Sequence, residues 1–111
     1  MIKILNYYCC NNSCNPTRNY VIVKNNGKLK VKFILQYTLF GETFTRESIL
    51  LRGNRKKNNI PFFSENICLN ILNISFPMSR LIHHECISGL ENICYEIQGT
   101  AENPICIKTI C

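Results

Sequence analysis

Eight cysteines in 111 residues are the feature that most constrains how this chain folds. Three of them lie between Cys9 and Cys14, and the other five lie between Cys68 and Cys111. Such a density is typical of secreted proteins, whose disulfides form in an oxidising compartment. If all eight are paired within the chain, the odd number near the N-terminus requires at least one bridge to the C-terminal group. That bridge closes a loop over the 53 intervening residues, and such a loop adds about 4 kcal/mol in the chain-entropy model.

The sequence therefore predicts one cysteine-rich domain over residues 1–111, in which the N-terminal cysteine cluster 9–14 is tied to the C-terminal third. A chain of this length buries a substantial core, roughly two thirds of its unfolded surface, so the disulfides reinforce the core and do not replace it. The connectivity is open, because eight cysteines permit 105 pairings. The predicted disulfide cysteines are Cys9, Cys10, Cys14, Cys68, Cys86, Cys94, Cys106 and Cys111.

Apolar and polar residues alternate from Leu29 to Leu39. A period of two is typical of a strand with one buried face and one solvated face. A second apolar run, 20–23, precedes it, and the Asn25-Asn26-Gly27 segment between them predicts a tight hairpin turn. Another turn is predicted at Phe40-Gly41, followed by a strand over 43–51.

Further strands are predicted over 67–76, 91–98 and 105–110, and a helical turn or bent connection is predicted over 78–88. Many short strands separated by turn residues indicate an all-β fold. We therefore expect a small disulfide-stabilised antiparallel β-sandwich with a single domain.

Positive charge is concentrated in the first half of the chain. Residues 1–57 contain eleven Lys and Arg against two Glu, whereas residues 58–111 contain two against five. The polar segment 52–59 is predicted to be a basic loop, and the lysines of 28–32 to face outward from a strand. If they lie on one side of the molecule, they form a patch that attracts sulfated glycans, anionic lipid or nucleic acid. The sequence favours the alternative, a solvated surface whose lysines protect an edge strand. The predicted binding residues are Lys28, Lys30, Lys32, Arg52, Arg55, Lys56 and Lys57.

The His83-His84-Glu85-Cys86 segment is the best candidate for chemistry. Zinc accepts thiolate and imidazole ligands, but the chain has no Cys-x2-Cys pair, and a bridged cysteine is not available as a ligand. Disulfides are therefore favoured over zinc, and no metal or other cofactor is predicted. The chain also lacks a Gly-x-Ser-x-Gly motif and a phosphate-binding glycine loop, so we predict that it is not an enzyme. Nucleic acid is not an expected partner, because no zinc-finger spacing or basic reading helix occurs.

Two Asn-x-Ser motifs predict glycan acceptors at Asn11 and Asn73 in a secreted glycoprotein. The apolar start of the chain ends at Leu5, which is short of the ~7–15 apolar residues of a signal peptide. We therefore expect an extracellular chain from which a leader has been removed. A leaderless chain with unbridged cysteines is the alternative.

Phe62 and Phe63 directly follow the basic segment. In a membrane-active protein this arrangement places aromatic rings at the interface behind cations. In an ordinary sandwich one ring belongs to the core and the other lies partly covered at the surface, and the sequence favours this second interpretation.

The combination of a strand hairpin, a basic segment and a cysteine-rich C-terminal third resembles small secreted toxins and immune-modulating β-proteins in general. This resemblance concerns the fold and implies no residue roles. The predicted function is a secreted, non-enzymatic binding protein whose partner is a cell-surface protein or an anionic glycan, with an anionic membrane surface as a further partner. Two alternatives are a small basic membrane-active toxin that forms pores or lyses cells, and a structural or coat protein crosslinked through its cysteines.

Overall fold

The computed structural model describes residues 19–88 and 91–111 of this chain. These residues form eight strands in two four-stranded sheets, with the strand orders β4-β1-β7-β8 and β3-β2-β5-β6. Within the described ranges no helix is long and apolar enough to cross a bilayer. The strands are β1 (Asn19–Asn25), β2 (Val31–Leu39), β3 (Glu42–Leu50), β4 (Arg55–Ile60), β5 (Glu65–Asn73), β6 (Arg80–Ile87), β7 (Ile93–Gly99) and β8 (Pro104–Thr109).

The fold-class prediction is confirmed, since the protein is an all-β, disulfide-containing sandwich. Neighbouring strands are antiparallel with one exception, the parallel pair of β1 and β7. The predicted strands over 67–76, 91–98 and 105–110 correspond to β5, β7 and β8.

The core lies between the two sheets and is built by the alternation seen in the sequence. In β2 the inward side chains Phe33, Leu35 and Tyr37 are at most 2% exposed. They pack with inward residues of the other sheet, including Val23 and Ile97, in one apolar cluster. Burial of each such side chain contributes roughly 1.5–3 kcal/mol, so this cluster is the main source of stability.

The hairpin predicted at Asn25-Asn26-Gly27 is wrong. β1 pairs with β4 and β7, whereas β2 pairs with β3 and β5, so the chain crosses from one sheet to the other over 26–30. Glycine at position 27 allows the backbone of the crossing to pass close to the backbone of Gln98. A Cβ on Gly27 would lie 3.0 Å from the carbonyl carbon of Gln98. The sequence signal for a tight turn therefore marked a crossing between layers.

The turn at Phe40-Gly41 is confirmed as the hairpin between β2 and β3. Both residues have positive φ, 51° at Phe40 and 85° at Gly41, as a two-residue turn that follows the strand twist requires. An aromatic residue at a positive φ is uncommon and costs free energy.

Two segments predicted to lack strands are strands at the edges of the sheets. The supposed basic loop is largely β4, and the supposed bent connection over 78–88 is largely β6. Both have mostly polar sequences, because an edge strand exposes much of its surface to solvent. A register shift between Ile71 and Leu72, where β5 pairs with β6, also interrupts the alternation.

Two disulfides are present among the described residues. Cys68–Cys86 joins β5 to β6, and Cys94–Cys111 joins β7 to the segment after β8. Cys106 forms no disulfide with another described cysteine. The predicted bridge from the N-terminal cluster 9–14 lies outside the described residues and stays a prediction.

Candidate functional site

Four connections between strands meet at one end of the sandwich, which we call the loop end. They are residues 26–30, 51–54, 74–79 and 100–103. Backbone hydrogen bonds join them, since Lys28 N donates to Gly99 O at 2.8 Å and Ile74 N donates to Lys30 O at 2.9 Å. The loop end is therefore one connected surface.

Asn25 organises the loop end from inside. Its side chain is fully buried, and its Nδ2 donates to Leu29 O at 2.8 Å and to Leu50 O at 3.0 Å. Its Oδ1 accepts a hydrogen bond from Gly27 N at 3.0 Å. An amide side chain has donors and an acceptor for all three contacts, so Asn25 holds the connections 26–30 and 51–54 together.

Asn73 has a matching role for the other two connections. It is 1% exposed, its Nδ2 donates to Ala101 O at 2.8 Å, and its Oδ1 accepts from Ser75 N at 3.1 Å. The glycan predicted at Asn73 stays a prediction, and its acceptor nitrogen is buried and hydrogen-bonded in this fold. Asn11, the other predicted acceptor, lies outside the described residues.

The surface of the loop end combines cations with exposed apolar side chains. Leu51 is 54% exposed and Met78 is 78% exposed. The Arg80 guanidinium lies 4.8 Å from the ring centroid of the partly buried Phe76. Glu102 is an exposed anion in the connection 100–103. The exposed cations are Lys28, Lys30, Arg52 and Arg80.

The structure brings together three of the seven predicted binding residues, Lys28, Lys30 and Arg52, at the loop end. The contribution of the segment 74–80 was not predicted from the sequence. Its signal was Pro77, which restricts the residue before it to extended conformations and thereby marks a connection.

The other four predicted residues lie in the strands. Lys32 lies on the outer face of the β3-β2-β5-β6 sheet, 3.2 Å from Glu47 in an ion pair. Arg55 and Lys57 lie on the outer face of the opposite sheet, because the alternate residues of β4 are directed inward, and Arg55 adjoins the connection 51–54. Lys56 is one of those inward residues and lines the gap between the β3 and β4 edges.

A second exposed patch, which we call the aromatic end, lies at the opposite end of the sandwich. Phe40, Phe62 and Phe63 are 81%, 41% and 55% exposed. The ring centroids of Phe40 and Phe63 are 6.3 Å apart, and those of Phe62 and Phe63 are 5.8 Å apart. The prediction that one ring of the pair at 62–63 belongs to the core is wrong. Glu42 and Glu65 begin the neighbouring strands, so this patch is flanked by anions.

A polar cluster centred on Glu85 connects the two sheets at the β6 and β8 edges. Tyr95 Oη donates a hydrogen bond to Glu85, His83 Nε2 lies 3.1 Å from it, and Lys108 Nζ donates to it at 3.1 Å. These partners lower the pKa of Glu85 from 4.5 to about 2, and the hydrogen bond from Tyr95 has the largest effect. Burial of the carboxylate acts in the opposite direction. Burial and the Glu85 charge raise the pKa of Tyr95.

The Glu85 cluster predicts a loss of stability in acid. A carboxylate whose pKa is lowered on folding stabilises the protein fully above its unfolded pKa of 4.5, and this contribution disappears as the pH falls towards about 2. We expect Glu85→Gln to be roughly 1–2 kcal/mol less stable than wild type at neutral pH, with the difference shrinking between these two pKa values. Denaturant unfolding at several pH values measures this, with Glu47→Gln as the surface control. A difference that does not depend on pH would contradict the role of the Glu85 charge.

The described residues do not assemble a metal or thiol site. Cys86 and Cys94 are bridged, and residues 19–88 and 91–111 contain no group of three His, Cys, Asp or Glu placed to hold a metal ion. Burial, together with the Glu85 charge, raises the pKa of the Cys106 thiol to about 11. A Cys106 that is not bridged to the N-terminal cluster is therefore protonated at neutral pH and is a poor nucleophile.

No protein-family model and no curated protein matches this chain. Solved structures of toxins share its fold. The membrane-binding domain of pneumolysin superposes with a TM-score of 0.67 at 9% identity, covering 86% of this chain and 98% of that domain.

Two full-length toxins contain the same fold. The cytotoxin suilysin from Streptococcus suis matches with a TM-score of 0.67 at 14% identity, covering 86% of this chain and 24% of suilysin. Listeriolysin O matches with a TM-score of 0.66 at 13% identity, covering 86% of this chain and 23% of that toxin. The chain thus spans about a quarter of the length of these toxins, and at such identities the likeness establishes the fold alone.

Proposed function

We propose that this chain is a secreted, non-enzymatic binding protein that attaches to anionic membrane surfaces through its loop end. The observation that carries the proposal is the joint exposure of four cations and of Leu51 and Met78 on one connected surface. The likeness to the membrane-binding domain of pneumolysin supports it.

The four cations supply attraction to lipid phosphates and carboxylates. Near an anionic leaflet each Lys or Arg contributes about 1 kcal/mol, within a Debye length of the surface. Leu51 and Met78 then enter the interface and bury apolar surface there. Because Asn25 and Asn73 already hold the connections in place, attachment orders little additional backbone, and less entropy is lost.

Charge favours the loop end over the aromatic end as the contact surface. The loop end carries four exposed cations against Glu102, whereas Glu42 and Glu65 flank the exposed phenylalanines. An anionic leaflet attracts the first arrangement and repels the second.

Attachment is the proposed activity, and lysis is not part of it. The toxins that share the fold are about four times as long as this chain, and the fold corresponds to a domain that pneumolysin uses for membrane binding. We therefore expect phosphatidylserine vesicles to bind the protein while retaining an entrapped dye. Dye release at micromolar protein would favour a lytic toxin.

The disulfides and the toxin neighbours support an extracellular location. Both described disulfides lie within the chain, which leaves fewer cysteines for crosslinking between chains and disfavours a coat protein.

Replacement of the apolar contacts tests which end touches the membrane. We expect Leu51→Ser/Met78→Ser to bind phosphatidylserine vesicles roughly tenfold more weakly than wild type, because two side chains no longer bury apolar surface. Vesicle sedimentation measures this. Phe40→Asn is the matched control, since Phe40 is 81% exposed and Met78 78%, and asparagine tolerates the positive φ at that position. A loss of binding in Phe40→Asn, with the double variant unchanged, would assign the contact to the aromatic end.

A further inference from the structure

An open groove of about 450 Å³ lies between the β3 edge of one sheet and the β4 edge of the other. Among residues 19–88 and 91–111, β3 and β4 are edge strands of different sheets and no strand pairs with their free edges. Its floor is polar and one wall is aromatic. The lining residues are Phe44, Thr45, Arg46, Glu47, Ser48, Lys56 and Asn58.

Asn58 leaves an unused hydrogen-bond donor in this groove. Its side chain is 6% exposed. Its Nδ2 is buried and has no hydrogen-bond partner among residues 19–88 and 91–111. An unsatisfied buried amide costs about 1–3 kcal/mol. An oxygen acceptor that enters the groove removes this cost.

Two cations flank the amide. Lys56 precedes Asn58 by two residues in β4 and is directed to the same side of the strand. Arg46 lines the groove from β3 and is oriented by the Tyr37 hydroxyl, with Nη2 and Oη 3.3 Å apart. Glu47 also lines the groove, but its carboxylate lies 3.2 Å from Lys32 in an ion pair. The groove therefore presents unpaired donors and net positive charge.

Phe44 provides a flat apolar wall beside these donors. Its ring is 40% exposed and is stacked on Tyr37, with the centroids 5.6 Å apart. Pockets that combine an apolar wall with a few directed polar groups suit small molecules that have one apolar face and several oxygens.

We propose that this groove binds an acidic saccharide, that is, a sugar with a carboxylate or sulfate group. The acid group lies between Lys56 and Arg46, a ring or acetamido oxygen accepts from Asn58 Nδ2, and the apolar face of the sugar covers Phe44. This site is separate from the loop end and does not depend on the proposed membrane attachment.

The test compares 3′-sialyllactose and a heparin disaccharide with lactose, which has no acid group, by NMR titration of the folded protein. The expected result is millimolar or tighter binding of an acidic probe, weakened by salt, together with a shift of the Asn58 side-chain amide resonance. That resonance is identified by its absence in Asn58→Ser. A shift with sialyllactose shows that a carboxylate is sufficient. A shift with the heparin disaccharide alone assigns the acid as a sulfate, because that disaccharide also carries a carboxylate.

Lys56→Gln is expected to weaken binding of the acidic probe about tenfold, as the loss of one charged contact does. Lys57→Gln is the matched control, because it removes the same charge from the adjacent residue on the outer face of β4. Equal binding of lactose, equal effects of the two variants, or no shift with either acidic probe would overturn the proposal. Vesicle binding by Lys56→Gln is expected to equal that of wild type, so failure of this site and failure of membrane attachment are distinguishable.

Discussion

Replacement of Lys28, Lys30, Arg52 and Arg80 by glutamine is expected to weaken binding to phosphatidylserine vesicles about a thousandfold. Each cation contributes about 1 kcal/mol near an anionic leaflet, and every 1.4 kcal/mol corresponds to a factor of ten in affinity. All four side chains are exposed, so their removal leaves the core unchanged. Sedimentation of the protein with vesicles of increasing phosphatidylserine content measures the loss.

The control for this variant removes the same charge from the sides of the sandwich, farther from the loop end. Lys32, Arg46, Lys57 and Lys108 are replaced by glutamine, which lowers the net charge by the same amount but leaves the loop end intact. We expect this control to lose less than about tenfold in affinity, because screening weakens charges held away from the membrane. Equal losses in the two variants would mean that net charge attracts the protein without a defined contact surface, and would contradict the proposed function.

Asn25→Ala is expected to lower the free energy of unfolding by about 3 kcal/mol, although it removes only a few atoms. The substitution eliminates two hydrogen bonds from Nδ2 and one to Oδ1, all of them to buried backbone groups. Urea unfolding of the two proteins at the same pH measures the difference.

The neighbouring asparagine gives a matched control for Asn25→Ala. Asn26 is exposed, and its Nδ2 donates to Glu96 at 2.9 Å on the surface. We expect Asn26→Ala to change stability by about 0.5 kcal/mol or less. Asn25→Ala is also expected to bind vesicles more weakly under conditions in which the variant remains folded, because the connections 26–30 and 51–54 lose their common anchor. A native-like affinity in that variant would show that the loop end does not need to be preorganised.

Periodicity predicted most of the strands, because the alternation of apolar residues is a local property of a chain segment. The pattern from Leu29 to Leu39 correctly indicated which side chains of β2 face the core. The edge strands β4 and β6 were missed for the same physical reason, since solvent covers much of an edge strand and leaves little apolar alternation to detect.

The candidate sites were harder to predict than the strands. Lys28, Lys30 and Arg52 were identified by charge alone, but Arg80 comes from a strand that was not recognised. The groove beside Asn58 has no local signal, because its two walls, 44–48 and 56–58, belong to different sheets and meet only when the sheets pack.

The sequence by itself determined the all-β class and most of the strand positions, since both follow from local composition and period. Only the tertiary structure decided that Asn25 and Asn73 are buried anchors, that Asn25-Gly27 is a crossing between sheets, and that basic residues scattered along the chain meet at one end. The physical reason is that strand pairing and layer packing bring distant residues together, and no short segment contains that information.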